Sequence, residues 1–370
     1  MTPRIAEIRP SHDSLEVAWQ GRREKSRFLK LWLRDHCGCP ECLHPETKQR
    51  QVDSFALPAA PEVAHHQLVD GGAALDVIWA ADGHASRYDA AFLADLTGAA
   101  EAPEIETWDR AALDNAPPSV AHAAAMQSAA GLKDWLEKIE RFGFCFVEGV
   151  PPTAEATQAL AERIAYIRHT LFGGFWDFTA NMEHKDTAYT TLSIGPHSDG
   201  TYSFDAPGYQ MFHCLEFDGE GGESTLVDGF RIAEILQRDA PEAYETLARV
   251  RIPGHYLDEG VNLRAARPLF REDAHGRLRQ VSYNNHDRAP FWLPEDEMAA
   301  FYKALKAFDA LANDPALVYR RRLEPGTALL FDNWRVLHGR LAYQGHRRLA
   351  GAYLNKEDVE SRLRVLRQAP

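Results

Sequence analysis

The pattern of apolar and polar positions along the chain predicts many short β-strands. Near the N-terminus, residues 15–19 and 28–32 are apolar runs of strand length. Five further runs of this kind occur later in the sequence, at residues 142–150, 210–217, 225–228, 329–338 and 349–354. Strands this short and this numerous are typical of all-β sandwiches and barrels.

Four segments instead have the apolar spacing of helices: residues 132–142, 153–170, 231–249 and 294–311. The second follows two prolines, and Thr153 is a suitable N-cap for it. Many short strands, with two helices packed near the start of the domain, predict a double-stranded β-helix, or jelly roll.

A segment rich in alanine and proline divides the chain. It lies around residues 99–120, and this composition is typical of a linker. We therefore expect a small β-rich N-terminal domain over residues 1–95, a linker over 96–120 and a mainly β C-terminal domain with flanking helices over 121–370. With 370 residues, the chain is long enough for the larger domain to bury a full core.

Composition narrows the cellular setting. The formal charge of −13 without a basic stripe argues against nucleic acid as a partner. The sequence contains no run of eighteen apolar residues, so it predicts no membrane-spanning helix. The first residues lack the apolar segment of a secretory signal. The five cysteines do not resemble a disulfide framework. We expect a cytoplasmic protein and leave a monomer or a homodimer open.

His197 and Asp199, with the distant His338, are the candidate reactive centre. Two imidazoles and one carboxylate form the facial triad that holds non-haem Fe(II) and leaves positions open for other ligands. If residues 191–199 form a strand, His197 and Asp199 share one face of it. Arg347 follows and offers a planar guanidinium to a carboxylate. An HxD pair alone is weak evidence among 16 histidines, each of which could instead be a hydrogen-bonded core residue.

Cys37, Cys39 and Cys42 place three thiols within six residues. Three thiolates so close can converge on one tetrahedral zinc ion, which needs a fourth ligand to close a structural site. His36 and His44 are near in sequence, but each would need a very tight chelate loop. The alternative is a cluster of free surface thiols.

Several longer motifs carry a family resemblance: residues 186–190, 212–215, 221–222, 226–230, 283–289 and 332–340. On these the chain resembles the Fe(II)/2-oxoglutarate dioxygenases that hydroxylate γ-butyrobetaine and trimethyllysine, and it resembles the trimethyllysine branch most closely. The resemblance covers nearly the whole length, including a small N-terminal zinc domain. It implies the jelly-roll fold, with Fe(II) and structural zinc as metals and 2-oxoglutarate and O2 as cosubstrates.

The resemblance also implies roles for single residues. It places iron on His197, Asp199 and His338, and it makes His84 the fourth zinc ligand. It places the far carboxylate of 2-oxoglutarate on Arg347, with Ser224 nearby. Arg348 is the neighbouring candidate, but adjacent strand residues face opposite ways.

The implied substrate pocket has two ends. Four aromatic residues form a cage for a quaternary ammonium, which aromatic faces attract: Phe172, Trp176, Tyr189 and Tyr353. Candidates for the anionic head group are Lys185, Asp186, Tyr202, Asn285 and Arg288. Lys185 adds positive charge and favours a dianionic head, whereas Asp186 favours an ammonium.

We therefore expect hydroxylation of a small trimethylammonium compound, with 2-(trimethylammonio)ethylphosphonate first and trimethyllysine or γ-butyrobetaine as alternatives. A non-catalytic metal-binding sensor and a taurine-type oxygenase are the rivals. The complete set of iron and cosubstrate residues argues against the sensor, and the aromatic cage and zinc domain argue against the taurine type.

Overall fold

The computed structural model describes residues 2–97, 105–114, 116–178 and 190–368. The chain divides into two compact units, Met1–Ala102 and Pro103–Pro370. Among the described residues, no helix is long and apolar enough to cross a membrane.

The first unit contains two three-stranded antiparallel sheets and two short helices. Its elements are β1 (Ile5–Pro10), β2 (Ser14–Trp19), β3 (Lys25–Leu29), α1 (Lys30–Asp35), β4 (Val63–Val69), β5 (Ala74–Trp79), β6 (Ala85–Asp89) and α2 (Ala90–Leu96). Strands β1, β2 and β3 form one sheet, and β4, β5 and β6 form the other. Alternate residues of β2 and β5, such as Leu15, Val17, Leu75 and Val77, point into one shared core.

One strand of this unit is shorter than predicted. The strand expected over residues 28–32 ends at Leu29, and α1 begins at Lys30. The helix forms because Lys30, Leu33 and Arg34 are spaced three and four residues apart and together make its buried face.

The second unit contains the remaining elements. They are α3 (Arg110–Leu113), β7 (Ser119–Ala121), α4 (His122–Gln127), α5 (Ala129–Phe142), β8 (Phe144–Glu148), α6 (Ala154–Glu162), β9 (Phe175–Phe178), β10 (Ile194–His197), β11 (Tyr209–Gly221), β12 (Ser224–Asp228), α7 (Gly229–Asp239), α8 (Pro241–Arg249), β13 (Ile252–Asp258), β14 (Val261–Arg267), β15 (Phe270–Glu272), β16 (Leu278–Val281), α9 (Glu295–Ala312), β17 (Tyr319–Arg321), β18 (Thr327–Asp332), β19 (Val336–Arg340), β20 (Tyr343–Leu354) and α10 (Lys356–Gln368).

Two sheets of the second unit form the predicted jelly roll. The larger has the strand order β7–β8–β18–β11–β20–β9, and the smaller has the order β10–β19–β12–β17. Neighbouring strands are antiparallel except for β7 and β8. Because strand side chains alternate, Cys145 and Val147 of β8 pack with helices α5 and α6, while Phe144 and Phe146 face the other way. The mainly β fold with flanking helices is thus confirmed.

The predicted linker is not a linker throughout. Trp108 and Leu113 are 2% and 3% exposed and belong to a core cluster of the second unit. The Trp108 indole donates to the Phe142 carbonyl at 2.7 Å. The linker was predicted from the alanine and proline content around residues 99–120, and that composition gave no sign that these two residues are buried.

Three predicted segments have different bounds. The helix expected over 231–249 is two helices, because Pro241 starts α8 and has no N–H to continue α7. The helix expected over 153–170 ends at Glu162, although Thr153 caps it as predicted. Residues 329–338 do not form one strand: the chain turns after β18 and returns as β19. That turn places His338 within a strand of the smaller sheet.

Candidate active site

Two of the three predicted iron ligands are cross-strand neighbours. His197 ends β10 and pairs with His338 of β19, and their ring centroids are 4.2 Å apart. Asp199 lies two residues beyond the end of β10. Its Oδ1 is 3.3 Å from His197 Nε2, and its Oδ2 is 3.8 Å from His338 Nε2. The three side chains offer one ligand atom each, all within 4.8 Å of one another.

The reason for expecting Asp199 beside His197 was wrong, because no strand includes both residues. The main chain of Asp199 is instead held by Asn333, in the turn between β18 and β19. Asn333 Oδ1 accepts from the Asp199 N–H at 2.7 Å, and Asn333 Nδ2 donates to the Asp199 carbonyl at 3.0 Å. Ser198 also has a side-chain hydrogen bond, since its Oγ accepts from the Tyr283 N–H at 2.9 Å. Side-chain hydrogen bonds therefore do what the strand period was expected to do.

The protonation of these groups suits a divalent metal. Burial, with the adjacent His197, lowers the pKa of His338 to about 3, so its imidazole is neutral at pH 7. Burial alone would raise the pKa of Asp199, but the two histidines and the Tyr353 hydroxyl hold it below its usual range. Burial alone would lower the pKa of His197, but its hydrogen bond to Asp199 raises it overall. A metal at His197 Nε2 would replace that proton.

The surroundings of the histidines also fit iron. His197 Nδ1 lies 2.9 Å from the Gly195 carbonyl, which leaves Nε2 for a metal. His338 Nδ1 is buried and has no hydrogen-bond partner in the part of the chain that the structure describes. Its ring is positioned by packing, 4.7 Å from Phe331 and 5.9 Å from Phe212 between centroids. The donor set of two imidazoles and one carboxylate is the one that Fe(II) takes in this class of site.

Arg347 and Arg348 point to opposite sides of β20. Arg347 is 7% exposed and lines the cavity that contains the iron ligands. Burial lowers its pKa to about 10, so the guanidinium is still charged at pH 7. Arg348 forms ion pairs with Asp177 and Glu216 on the exposed side. Ser224, at the start of β12, lines the same cavity as Arg347.

The cavity measures about 150 Å³ and is partly aromatic. Phe172, Trp176, Tyr202 and Tyr353 all line it, and the Trp176 and Tyr353 ring centroids are 6.0 Å apart. Lys185, Asp186 and Tyr189 lie outside the described residues. The lining residues that the sequence analysis missed include Gln210, Phe212 and Arg340. All three lie in strands whose alternation alone did not distinguish the cavity side from the core.

Two of the predicted head-group residues do not line the iron cavity. Asn285 and Arg288 line a separate small cavity, and the Arg288 guanidinium donates to Asn285 Oδ1 at 3.2 Å and to the Tyr302 hydroxyl at 3.3 Å. The residues of this loop that line the iron cavity are Asn284, His286 and Asp287. No regular period applies in a loop without helix or strand, so the sequence could not show which residues point inward.

The first unit contains the second candidate metal site. His84 Nε2 lies 3.3, 3.5 and 3.5 Å from the sulfur atoms of Cys37, Cys39 and Cys42. His44 is turned to other partners, because its Nδ1 accepts from two main-chain N–H groups. Three thiols and one imidazole could hold zinc with every position filled by protein, as structural sites do.

Comparisons with known proteins show which family this chain belongs to and which proteins it is similar to. The sequence model described as "Taurine catabolism dioxygenase TauD, TfdA family" matches residues 113–353, and that of "Gamma-butyrobetaine hydroxylase-like, N-terminal" matches residues 7–94. A trimethyllysine dioxygenase of Meyerozyma guilliermondii is 36% identical over 99% of this chain and 96% of its own length. A γ-butyrobetaine dioxygenase of a Pseudomonas species is 34% identical over 96% of this chain and 94% of its own. A solved taurine dioxygenase from Burkholderia xenovorans has a TM-score of 0.47 at 16% identity, over 61% of this chain and 80% of that one.

Proposed function

Because the chain belongs to the TauD/TfdA family and is an Fe(II)- and 2-oxoglutarate-dependent dioxygenase, we propose that it hydroxylates trimethyllysine. One observation carries the proposal: a single cavity contains the three candidate iron ligands, a buried arginine and several aromatic faces. When bound, Fe(II) supplies the chemistry that couples oxidative decarboxylation of 2-oxoglutarate by O2 to hydroxylation of a C–H bond. The protein supplies binding, orientation and exclusion of water.

Arg347 is the group that would fix 2-oxoglutarate. Its guanidinium is almost fully buried, and within the described residues no carboxylate is seen paired with it. The far carboxylate of 2-oxoglutarate would supply that negative charge. A bidentate, charge-assisted hydrogen bond to the guanidinium would then set the orientation of the cosubstrate. Ser224 would add a hydroxyl at the same end of the cavity.

The aromatic side of the cavity would take the trimethylammonium group. A quaternary ammonium has no N–H to donate, so it binds to ring faces rather than to acceptors. Trp176, Tyr202, Tyr353 and Phe172 present such faces beside the iron ligands. A trimethylammonium compound is therefore the substrate class that this surface favours.

Two polar residues of the loop after β16 would select the rest of the substrate. Asp287 and His286 both line the cavity, and Asp287 Oδ2 accepts from Asn284 Nδ2 at 2.8 Å. An amino acid carries both an ammonium and a carboxylate, and this pair of side chains complements both. Trimethyllysine has such an end, whereas γ-butyrobetaine lacks the ammonium.

Our first expectation, the phosphonate, gains no support. It rested on Lys185, which lies outside the described residues, and a dianion would meet the carboxylate of Asp287. The Meyerozyma and Pseudomonas relatives are named as dioxygenases of trimethyllysine and γ-butyrobetaine. γ-Butyrobetaine is the second candidate because of the 34% identity to a dioxygenase of that name.

A substrate panel tests the proposal. The purified enzyme with Fe(II) and 2-oxoglutarate is offered trimethyllysine, γ-butyrobetaine, 2-(trimethylammonio)ethylphosphonate and taurine, and succinate and hydroxylated product are quantified. We expect the highest kcat/KM with trimethyllysine. Preference for the phosphonate would refute the substrate, sulfite release from taurine would favour the taurine type, and absence of succinate with every compound would favour the non-catalytic sensor.

A further inference from the structure

Tyr353 contacts two functional groups through two different parts of its side chain. Its ring lines the cavity, 6.0 Å from Trp176 between centroids. Its hydroxyl donates to Oδ2 of Asp199 at 2.7 Å. The residue lies in β20 and is 7% exposed. One side chain thus connects the aromatic surface to a candidate iron ligand.

The Asp199 carboxylate can only accept, so Tyr353 is the donor, and a third residue supports this direction. Gln210 of β11 is the cross-strand partner of Tyr353, and its Nε2 lies 3.3 Å from the Tyr353 hydroxyl oxygen. An amide nitrogen can only donate, so the Tyr353 oxygen accepts there and its own proton points to Asp199. Gln210 itself is 3% exposed.

Asp199 needs such support more than the two histidines do. His197 and His338 lie in paired strands, so the sheet sets their positions. Asp199 lies beyond the strand, and Asn333 holds only its main chain. The carboxylate can still rotate about its side-chain bonds unless something holds it. The Tyr353 hydroxyl donates to Asp199 Oδ2, and Asp199 Oδ1 lies on the side of His197.

We propose that Tyr353 is a positioning residue for iron: its hydroxyl, oriented by Gln210, holds the Asp199 carboxylate so that one oxygen is presented to the metal. Only the role of the ring rests on the proposed function, because the ring would contact the trimethylammonium group of the substrate. A ring held by bound substrate also holds the hydroxyl, so substrate binding steadies the metal ligand. The effect of the hydroxyl on metal binding does not depend on which substrate is correct.

Tyr353→Phe removes the hydroxyl and keeps the ring. Tyr244→Phe is the matched control, because Tyr244 is also 7% exposed and its hydroxyl donates to a carboxylate, Glu272 Oε1, at 2.5 Å, while neither residue lines the iron cavity. Both variants lose a partly buried hydrogen bond to a carboxylate. Only one of the two carboxylates is a candidate metal ligand.

The first readout is Co(II) binding to iron-free protein that keeps its zinc, followed by the visible absorption of Co(II) without 2-oxoglutarate or substrate. Removing a group that orients a metal ligand weakens metal binding by about 10- to 100-fold. We expect a loss in this range and altered absorption bands for Tyr353→Phe, and unchanged affinity and bands for Tyr244→Phe. Both substitutions should lower the melting temperature to a similar degree. A purely structural role for Tyr353 would give the same result, so Co(II) binding is the measurement that distinguishes the two roles.

The second readout is coupling. With the preferred substrate, Tyr353→Phe should release more succinate per hydroxylated product while the substrate KM changes little, because the aromatic face remains. If Tyr353→Phe does not fold, Gln210→Met tests the same claim by removing the group that directs the hydroxyl. Unchanged Co(II) affinity and bands in the folded variant would overturn the proposal. Weakened Co(II) binding without turnover of any panel compound would refute the proposed function and leave this inference standing.

Discussion

Asn333 binds the main chain of Asp199 on both sides, accepting from its N–H and donating to its carbonyl. The same side chain donates to the Pro207 carbonyl at 2.9 Å, and Asn333 is 1% exposed. One buried amide in the turn between β18 and β19 therefore replaces the sheet hydrogen bonds that a ligand inside a strand would have.

Replacing this amide should destabilise the protein and its metal site together. In Asn333→Ala three main-chain groups lose their partner, and each buried polar group left unpaired costs about 1–3 kcal/mol. We expect the unfolding free energy from urea denaturation to fall by about 2 kcal/mol or more. Asn313→Ala, at the exposed end of α9, is the control and should cost far less. A stability equal to the wild type would contradict the role given to Asn333.

Arg347 should determine the affinity for 2-oxoglutarate. Arg347→Gln removes a buried charge that would pair with a carboxylate, and hydrogen bonds to charged groups contribute about 1.5–3 kcal/mol. We expect the apparent KM for 2-oxoglutarate to rise about 10- to 100-fold. Arg348→Gln, which removes exposed ion pairs to Asp177 and Glu216, should leave this KM unchanged. An equal rise in this KM for both variants would contradict the assignment of 2-oxoglutarate binding to the arginine on the cavity side of β20.

Asp287 should distinguish the two leading substrates. Asp287→Asn removes a negative charge that would meet the α-ammonium of trimethyllysine, and γ-butyrobetaine has no such group. We expect the KM for trimethyllysine to rise about tenfold, equivalent to about 1.4 kcal/mol, while that for γ-butyrobetaine does not rise. Steady-state kinetics with both compounds on one variant provide the control. A parallel rise in both values would show that Asp287 acts on the fold of the loop.

The zinc site should stabilise the protein without taking part in the reaction. Cys39→Ser should lose zinc and lower the melting temperature, because binding at a closed structural site contributes folding free energy. His44→Ala should retain zinc, since His44 bonds to main-chain N–H groups instead. Zinc content by mass spectrometry and melting curves of both variants check this. Zinc loss in His44→Ala would mean that the ligand set is different.

The features predicted best from the sequence are those that depend on the residue types within a motif. The jelly roll was predicted from strand-length apolar runs, the iron ligands from the HxD pair with a distant histidine, and the three zinc thiols from their clustering. The fourth zinc ligand, His84, was implied only by the family resemblance. Prediction from the sequence failed where a long-range contact decides. Asp199 was placed by strand alternation, although a side chain over a hundred residues away holds it. Asn285 and Arg288 were chosen in a loop where Asn284, His286 and Asp287 line the cavity, and Trp108 was hidden in an alanine-rich segment.

The central claim is that His197, Asp199 and His338 hold the iron of a trimethyllysine hydroxylase. The most direct measurement is the yield of succinate and of hydroxytrimethyllysine from Fe(II), 2-oxoglutarate, O2 and trimethyllysine, with the wild type and with His197→Ala. We predict equal amounts of the two products with the wild type, and loss of both with His197→Ala while zinc content and melting temperature are retained. Hydroxytrimethyllysine formed at the wild-type rate by His197→Ala, or none formed by the wild type, would contradict the account.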